Sequence, residues 1–237
     1  NPTLRGIGAV VLDEFHERHL ATDLALALVK RLQQQQRPDL KLIVMSATLN
    51  AQQVAAYLQA PVLSAGGRLH PVEMRYQAAR SVKPIWDQAA EALRQALADT
   101  DHPGDVLIFM PGGYEIRRIL DACRRVPARE PLAFFPLHSE LSITIEGISH
   151  VIDSGLVRMN RYDPRRGIDV LLVERASQSS ADQRAGRAGR TQPGVCHRLW
   201  PASEQRTRPA QDTPEIARVD LADAVLALQR MGITQVA

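Results

Sequence analysis

Two short apolar runs, 7–12 (IGAVVL) and 41–45 (KLIVM), flank a helical stretch, and this alternation constrains the fold more than any other feature. Both runs are β-rich and lack polar alternation, the pattern of a strand buried on both faces. Between them, in ATDLALALVKRLQQQQ, Leu24, Leu28 and Leu32 recur at i, i+4 and i+8 beside Ala25 and Val29. They make one apolar helix face. Strand, helix and strand with short links form a βαβ unit, which implies parallel strands covered by helices. The expected class is α/β.

The alternation resumes downstream. Residues 84–98 predict a helix with Ile85, Ala89, Leu93 and Leu97 aligned. A strand and glycine turn follow at 105–113, then a helix with Ile116, Ile119, Leu120 and Cys123 on one side. LAFFP (132–136), HVIDSG (150–155), DVLLVER (169–175) and VCHRLW (195–200) read as strands. SSADQRAGRAG reads as a helix with Ser179 or Ser180 as its N-cap. A polar, proline-bearing linker then leads to a helix from about 220, striped by Leu221, Val225 and Leu228. Pro61 and the Gly66-Gly67 pair break the first pattern, so one domain is expected over 1–70, a second over 71–201 and the start of a third over 202–237.

Composition bounds the partners. The chain has 237 residues, a net charge of +3 and 45% hydrophobic residues, ordinary for a globular protein. All but Lys30, Lys41 and Lys83 of its 29 basic residues are arginine. Arginine suits bidentate phosphate recognition, although codon bias gives the same composition. The two cysteines, Cys123 and Cys196, have no metal-ligand spacing, so a reducing cytoplasm is the expected setting. No apolar run is long enough to span a bilayer. Asn1-Pro2-Thr3 is neither a signal peptide nor an initiator, so more chain is expected upstream.

Three stretches carry chemistry. Asp13 and Glu14 follow the first strand, and ligands of parallel α/β sheets sit at the carboxyl ends of strands. One carboxylate can hold Mg²⁺ while the other deprotonates water; the plain alternative is a strand that stops where polarity starts. Ser46 and Thr48, in MSATL, follow the second strand on the same rim, where they could also be helix caps. In DQRAGRAGR (182–190), Gln183, Arg187 and Arg190 stand at i, i+4 and i+7, one helical face, with Arg184 offset. Arginine with small Ala and Gly between is unlike an ordinary solvated face and suits a phosphoryl group.

Together these stretches resemble the DEAH/RHA group of superfamily 2 helicases. DEFH stands at the Asp-Glu-x-His box, SAT at motif III and QRAGRAGR at motif VI; LIFMPGGYEI is similar to the start of motif IV. TPEIARVDLADAVLALQRMGI is similar to the entry of the winged-helix domain, and the phenylalanine of the box with RAGRTQPGVCHRLW resembles the bacterial HrpB-type members. The resemblance implies two RecA-like parallel-sheet domains, the first incomplete, followed by the start of a winged-helix domain. It implies an ATP-dependent (or other NTP-dependent) RNA helicase with Mg²⁺ as cofactor. By position, Asp13 would hold Mg²⁺, with Glu14 beside it activating water. His16, Ser46 and Thr48 would couple the nucleotide to the neighbouring domain. Gln183 would place the water, and Arg187 and Arg190 would reach the γ-phosphate. Closure of the two domains would then gate hydrolysis and move them along single-stranded RNA.

Nucleic-acid contacts are expected at Gly112 of motif IV, Thr144 of motif V and a hairpin over 157–175 turned by Asp163-Pro164. In the family this hairpin projects beside a duplex junction. Arg158, Arg161, Arg165 and Arg166 would give it a basic tip.

The chain departs from the family twice. It contains no Gly-Lys dipeptide, hence no P-loop, so as written it is a fragment poorly equipped to bind nucleotide. Between LHSEL and ITIEG the family has a helix, a strand and most of motif V, whereas only residues 142–146 remain here. A parallel crossover takes roughly a dozen residues or more. Residues are therefore expected to be missing near 141–143, with the ends there further apart than one peptide link. Two other activities fit the same motifs, an RNA-stimulated NTPase that remodels RNA–protein complexes and a non-catalytic RNA-binding scaffold.

Overall fold

The computed structural model describes residues 3–47, 51–66, 70–137 and 145–233. In chain order the first elements are β1 (Ala9–Leu12), α1 (Leu20–Gln35), β2 (Lys41–Val44), α2 (Ala51–Leu58), β3 (Val72–Tyr76), α3 (Ile85–Ala98), β4 (Asp105–Phe109) and α4 (Gly113–Cys123). Then come β5 (Ile148–Asp153), β6 (Leu156–Asp163), β7 (Ile168–Arg175), α5 (Gln178–Ala185), β8 (Gly194–Arg198), α6 (Ala202–Gln205) and α7 (Ala222–Arg230). They fall into two compact units, one built from 1–66, 160–170 and 213–237, the other from 67–159 and 171–212.

In the first unit, β1 and β2 pair in parallel with Val11 opposite Ile43, and α1 connects them. Leu26 and Val29 of α1 are buried. This is the expected βαβ unit, but its strands are not buried on both faces. Val11 and Ile43 are 51% and 47% exposed, alternating with half-buried neighbours. A single crossover helix can cover one face of a two-stranded sheet only.

The second unit holds a parallel sheet in the order β3–β8–β5–β4. The central strands β5 and β8 are buried throughout. Successive side chains of a strand face opposite ways, and β5 feeds two cores accordingly. Ile152 packs with Ala89 and Leu93 of α3 and Ile119 and Cys123 of α4, while Val151 packs with Ala185, Ala188 and Cys196. Burial pushes the Cys123 and Cys196 thiols up to about 11 and about 12, so both act as small apolar side chains.

Several local expectations change. LAFFP forms no strand; β4 is the sheet edge among the described residues, and Phe135 lies 79% exposed without a pairing partner. The N-cap of α5 is neither Ser179 nor Ser180 but Ser177, extended at φ −65°, whose hydroxyl accepts the Ser180 N–H at 3.1 Å. The α-helix ends at Ala185, and Gly186–Gly189 tightens into a 3₁₀ turn. Glycine weakens helix propagation there, and a 3₁₀ turn advances about 120° per residue instead of 100°. Gln183, Arg187 and Arg190 therefore do not share one α-helical face. Thr48, Thr144 and the expected break near 141–143 lie outside the described residues.

Candidate functional site

The carboxylate site begins where β1 ends. Met45 donates its N–H to Leu12 O at 2.8 Å, and Phe15 donates to Met45 O at 3.0 Å, so the two strand ends are stitched together. Phe15, 2% exposed, anchors the turn that follows. Glu14 adopts a left-handed backbone, φ 49°, at the start of that turn, and Asp13 Oδ1 accepts the Glu14 N–H at 2.7 Å. Asp13 and Glu14 are both exposed.

His16 joins this turn to the end of β2. Its side chain is 8% exposed, and its Nδ1 accepts the Ala47 N–H at 3.3 Å. Glu14 Oε2 is also 3.4 Å from the same nitrogen. An Nδ1 that accepts from a backbone amide cannot at the same time donate to a carboxylate, so the Ala47 and Glu14 contacts compete for one ring atom. Ser46, half-buried, precedes Ala47. The DEFH box and the SAT stretch are thereby one hydrogen-bonded piece.

These oxygens fit a hydrated Mg²⁺ that arrives with a nucleotide. Mg²⁺ keeps several waters and needs only one or two carboxylates. Among the described residues no group of three His, Cys, Asp or Glu could hold a metal by itself.

A segment distant in sequence secures this region. His19 precedes α1 without a side-chain cap, and the Leu20 N–H instead donates to Glu215 Oε2 at 2.7 Å. The Glu215 N–H donates to Arg18 O at 2.9 Å, and Arg18 grips Asp23 through two hydrogen bonds of 2.9 and 3.1 Å. Arg218 Nη1 donates to Asn160 O at 2.9 Å, and Arg218 O accepts the Tyr162 N–H at 2.7 Å. Residues 213–218, assigned from sequence to a domain entry, thus cap α1 and hold the outer part of the β6–β7 hairpin.

The arginine site belongs to the second unit. A cavity of about 670 Å³ is lined by Gly112, Gly113, Arg158, Arg187 and Arg190 among others. Gln183 does not line it. Motif VI lies tight against the sheet. A Cβ on Gly189 would come within 2.6 Å of His70 O, and Ala185 and Ala188 are fully buried. Gly186 has open space around it, so close packing explains only one of the two glycines in this turn. Arg198, buried, ties α5 to β8 through Asp182 at 2.5 Å and Tyr76 OH at 2.7 Å.

The hairpin has the expected turn. Asp163 accepts from Arg165, Arg166 and Gly167, with Gly167 at φ +67°. Its arginines are not all at the tip. Arg158 sits at the foot of β6, where a Cβ on Gly112 would meet Arg158 Nε at 2.7 Å and Glu115 lies 3.5 Å from its Nη2. The reason is register: Arg158 is the third residue of β6, five before Asp163. Arg165 and Arg166 are exposed in the turn, and Arg161 is half-buried in β6.

Known proteins place this arrangement. The chain is 37% identical over 270 aligned positions to the ATP-dependent RNA helicase DEAH11, chloroplastic, of Arabidopsis thaliana, covering 99% of this chain and 15% of that protein. It is 38% identical to the ATP-dependent RNA helicase HrpB of Escherichia coli, covering 98% of this chain and 32% of that protein. The crystal structure of the E. coli DExH-box NTPase HrpB superposes with a TM-score of 0.86 at 37% identity, over 99% of this chain and 32% of that one. Over nearly its whole length the chain is thus similar to one part of these helicases. No family model matches it. The chain spans about a third of the length of HrpB and less of the plant relative. The 270-position alignment exceeds the chain's 237 residues, so that relative carries residues with no counterpart here. Among the described residues no helix is long and apolar enough to cross a membrane.

Proposed function

We propose that this DEAH/RHA segment carries two walls of an NTPase, in an enzyme that hydrolyses ATP to move along and unwind RNA in the cytoplasm. The observation that carries this reading is the exposed Asp13–Glu14 pair at the carboxyl end of a parallel strand, with His16 hydrogen-bonded to Ala47. When bound, Mg²⁺ would neutralise phosphate charge, and Asp13 would hold it. Glu14 would take the proton of the attacking water, and its exposure leaves it accessible to that water. Gln183 would position the water. Arg187 and Arg190, which share one cavity wall, would offset the negative charge that builds up on the transferring phosphoryl group. Gly112, Arg158, Arg161, Arg165 and Arg166 would contact the RNA backbone.

The test is ATP hydrolysis by the full-length protein with and without single-stranded RNA. Glu14→Gln should lower turnover at least about 100-fold while nucleotide binding persists. Undiminished turnover in that variant would remove Glu14 from the reaction.

A further inference from the structure

Motif VI has a third arginine that the reading above leaves unused. Arg184 does not line the arginine cavity. Its side chain is 17% exposed, and Nη1 donates to Asp153 Oδ1 at 2.9 Å and to Leu156 O at 3.2 Å. Its guanidinium stands 5.1 Å from the centre of the Phe109 ring. Asp153 is fully buried, and the same Oδ1 accepts the Gly155 N–H at 2.8 Å. Its other oxygen has no hydrogen-bond partner among the described residues. A buried carboxylate kept this way depends on its cation.

Leu156 is the first residue of β6, so Arg184 holds one foot of the hairpin. Arg208 holds both. It is 4% exposed, stacks 4.1 Å from the Trp200 ring centre, and its Nη1 donates to Gly155 O at 2.8 Å and Ala176 O at 2.9 Å. These two carbonyls flank the hairpin, and the Ala176 N–H closes the pair by donating to Gly155 O at 2.9 Å. Gly155 is left-handed at φ +69°, and a Cβ there would press within 2.6 Å of Trp200. The Gln178 side chain of α5 donates to Arg208 O at 2.8 Å. Only Ala176 and Ser177 separate β7 from α5.

We propose that Arg184, seconded by Arg208, is a positioning residue that fixes the feet of the β6–β7 hairpin to the motif VI helix, so that a nucleotide-driven shift of Arg187 and Arg190 is passed to the hairpin. The inference rests on the nucleotide role of Arg187 and Arg190 given above. The tie is made by α5, one turn before those arginines, and acts through buried bonds. Ligand contact at Arg187 and Arg190 and movement at the hairpin feet thus become two ends of one rigid body.

The test is hydrogen–deuterium exchange of the full-length protein with and without ADP–beryllium fluoride and Mg²⁺. In the unaltered protein the analogue should slow exchange both at 186–190 and at the hairpin feet, 156–159 and 171–175, by about fivefold or more. Arg184→Met alone strands the Asp153 carboxylate and can unfold the unit, so it is paired with Asp153→Asn, which keeps an acceptor for Gly155. In this double variant protection at 186–190 should remain while that at 156–159, the foot held by Arg184, falls. Arg184→Lys, which retains a charged donor, should restore part of the response. Equal protection of 156–159 in the double variant would overturn the tie, as would feet that ignore the analogue in the unaltered protein. Absence of protection at 186–190 in the unaltered protein would instead remove the nucleotide reading, and the transmission with it.

Discussion

Glu14, the base in the proposed hydrolysis, has an unfavourable backbone. A non-glycine residue at φ 49° costs about 1–3 kcal/mol and persists only where its surroundings impose it. Here buried Phe15, its bond to Met45 O and the Asp13 cap impose it. Glu14→Gly should therefore raise stability to urea by up to about 1 kcal/mol while hydrolysis is lost. A second set of residues sets the acid limit. His150 and His197 stack between β5 and β8, ring centres 5.6 Å apart, with Nδ1 and Nε2 at 3.4 Å. Burial lowers both, His197 to about 4. Asp99 nearby is raised by burial but brought down to about 2 by His102 and Arg75. Unfolded histidines titrate near 6.5, so between about 6.5 and 4 the unfolded chain takes up protons that the folded chain refuses. Stability should be full above that window and fall by up to about 3 kcal/mol as pH drops through it. Urea titrations at pH 7, 5.5 and 4.5 read the slope, and His197→Gln should flatten it. The position of Asp13 and Glu14 at a strand end was legible because its cue is local, a strand followed by acids. The partners of Arg184 were not, since Asp153 stands 31 residues away and no periodicity links them.

Elements were legible where periodicity is strong. The stripes of α3 and α4 and the Asp163-Pro164 turn lie where hydropathy and turn chemistry put them, whereas α1 buries Leu26 and Val29 and leaves Leu24, Leu28 and Leu32 half-buried. Periodicity failed where packing decides. LAFFP has strand composition but no pairing partner, and the end of α5 is set by Gly186 and by close packing of Gly189. Gly189→Ala should cost about 1–3 kcal/mol, because the obstacle is the His70 backbone and cannot rotate away; thermal unfolding would show it. Removing the α1 cap with Glu215→Ala should cost about 1 kcal/mol and speed amide exchange in the first turn of α1. On the hairpin, Arg165→Ala with Arg166→Ala should weaken RNA binding and reduce the slope of log affinity against log salt by roughly 0.7 per lost phosphate contact. An unchanged slope would take the turn off the RNA.

At the scale of the molecule, hydropathy runs along the chain and carries no record of which distant stretches cluster. That Asn160–Val170 and the residues from Thr213 onward join the first 66 residues in one unit was therefore invisible in the sequence. The α/β class and parallel pairing were visible, since strand–helix alternation admits few other solutions. The same interleaving sets a clock on synthesis. The amide of Leu20 waits for a carboxylate 195 residues later. At about 5–20 residues per second, a ribosome supplies that carboxylate some ten to forty seconds after the helix it completes. During that interval the turn that carries Asp13 and Glu14 must persist with its neighbouring helix unfinished.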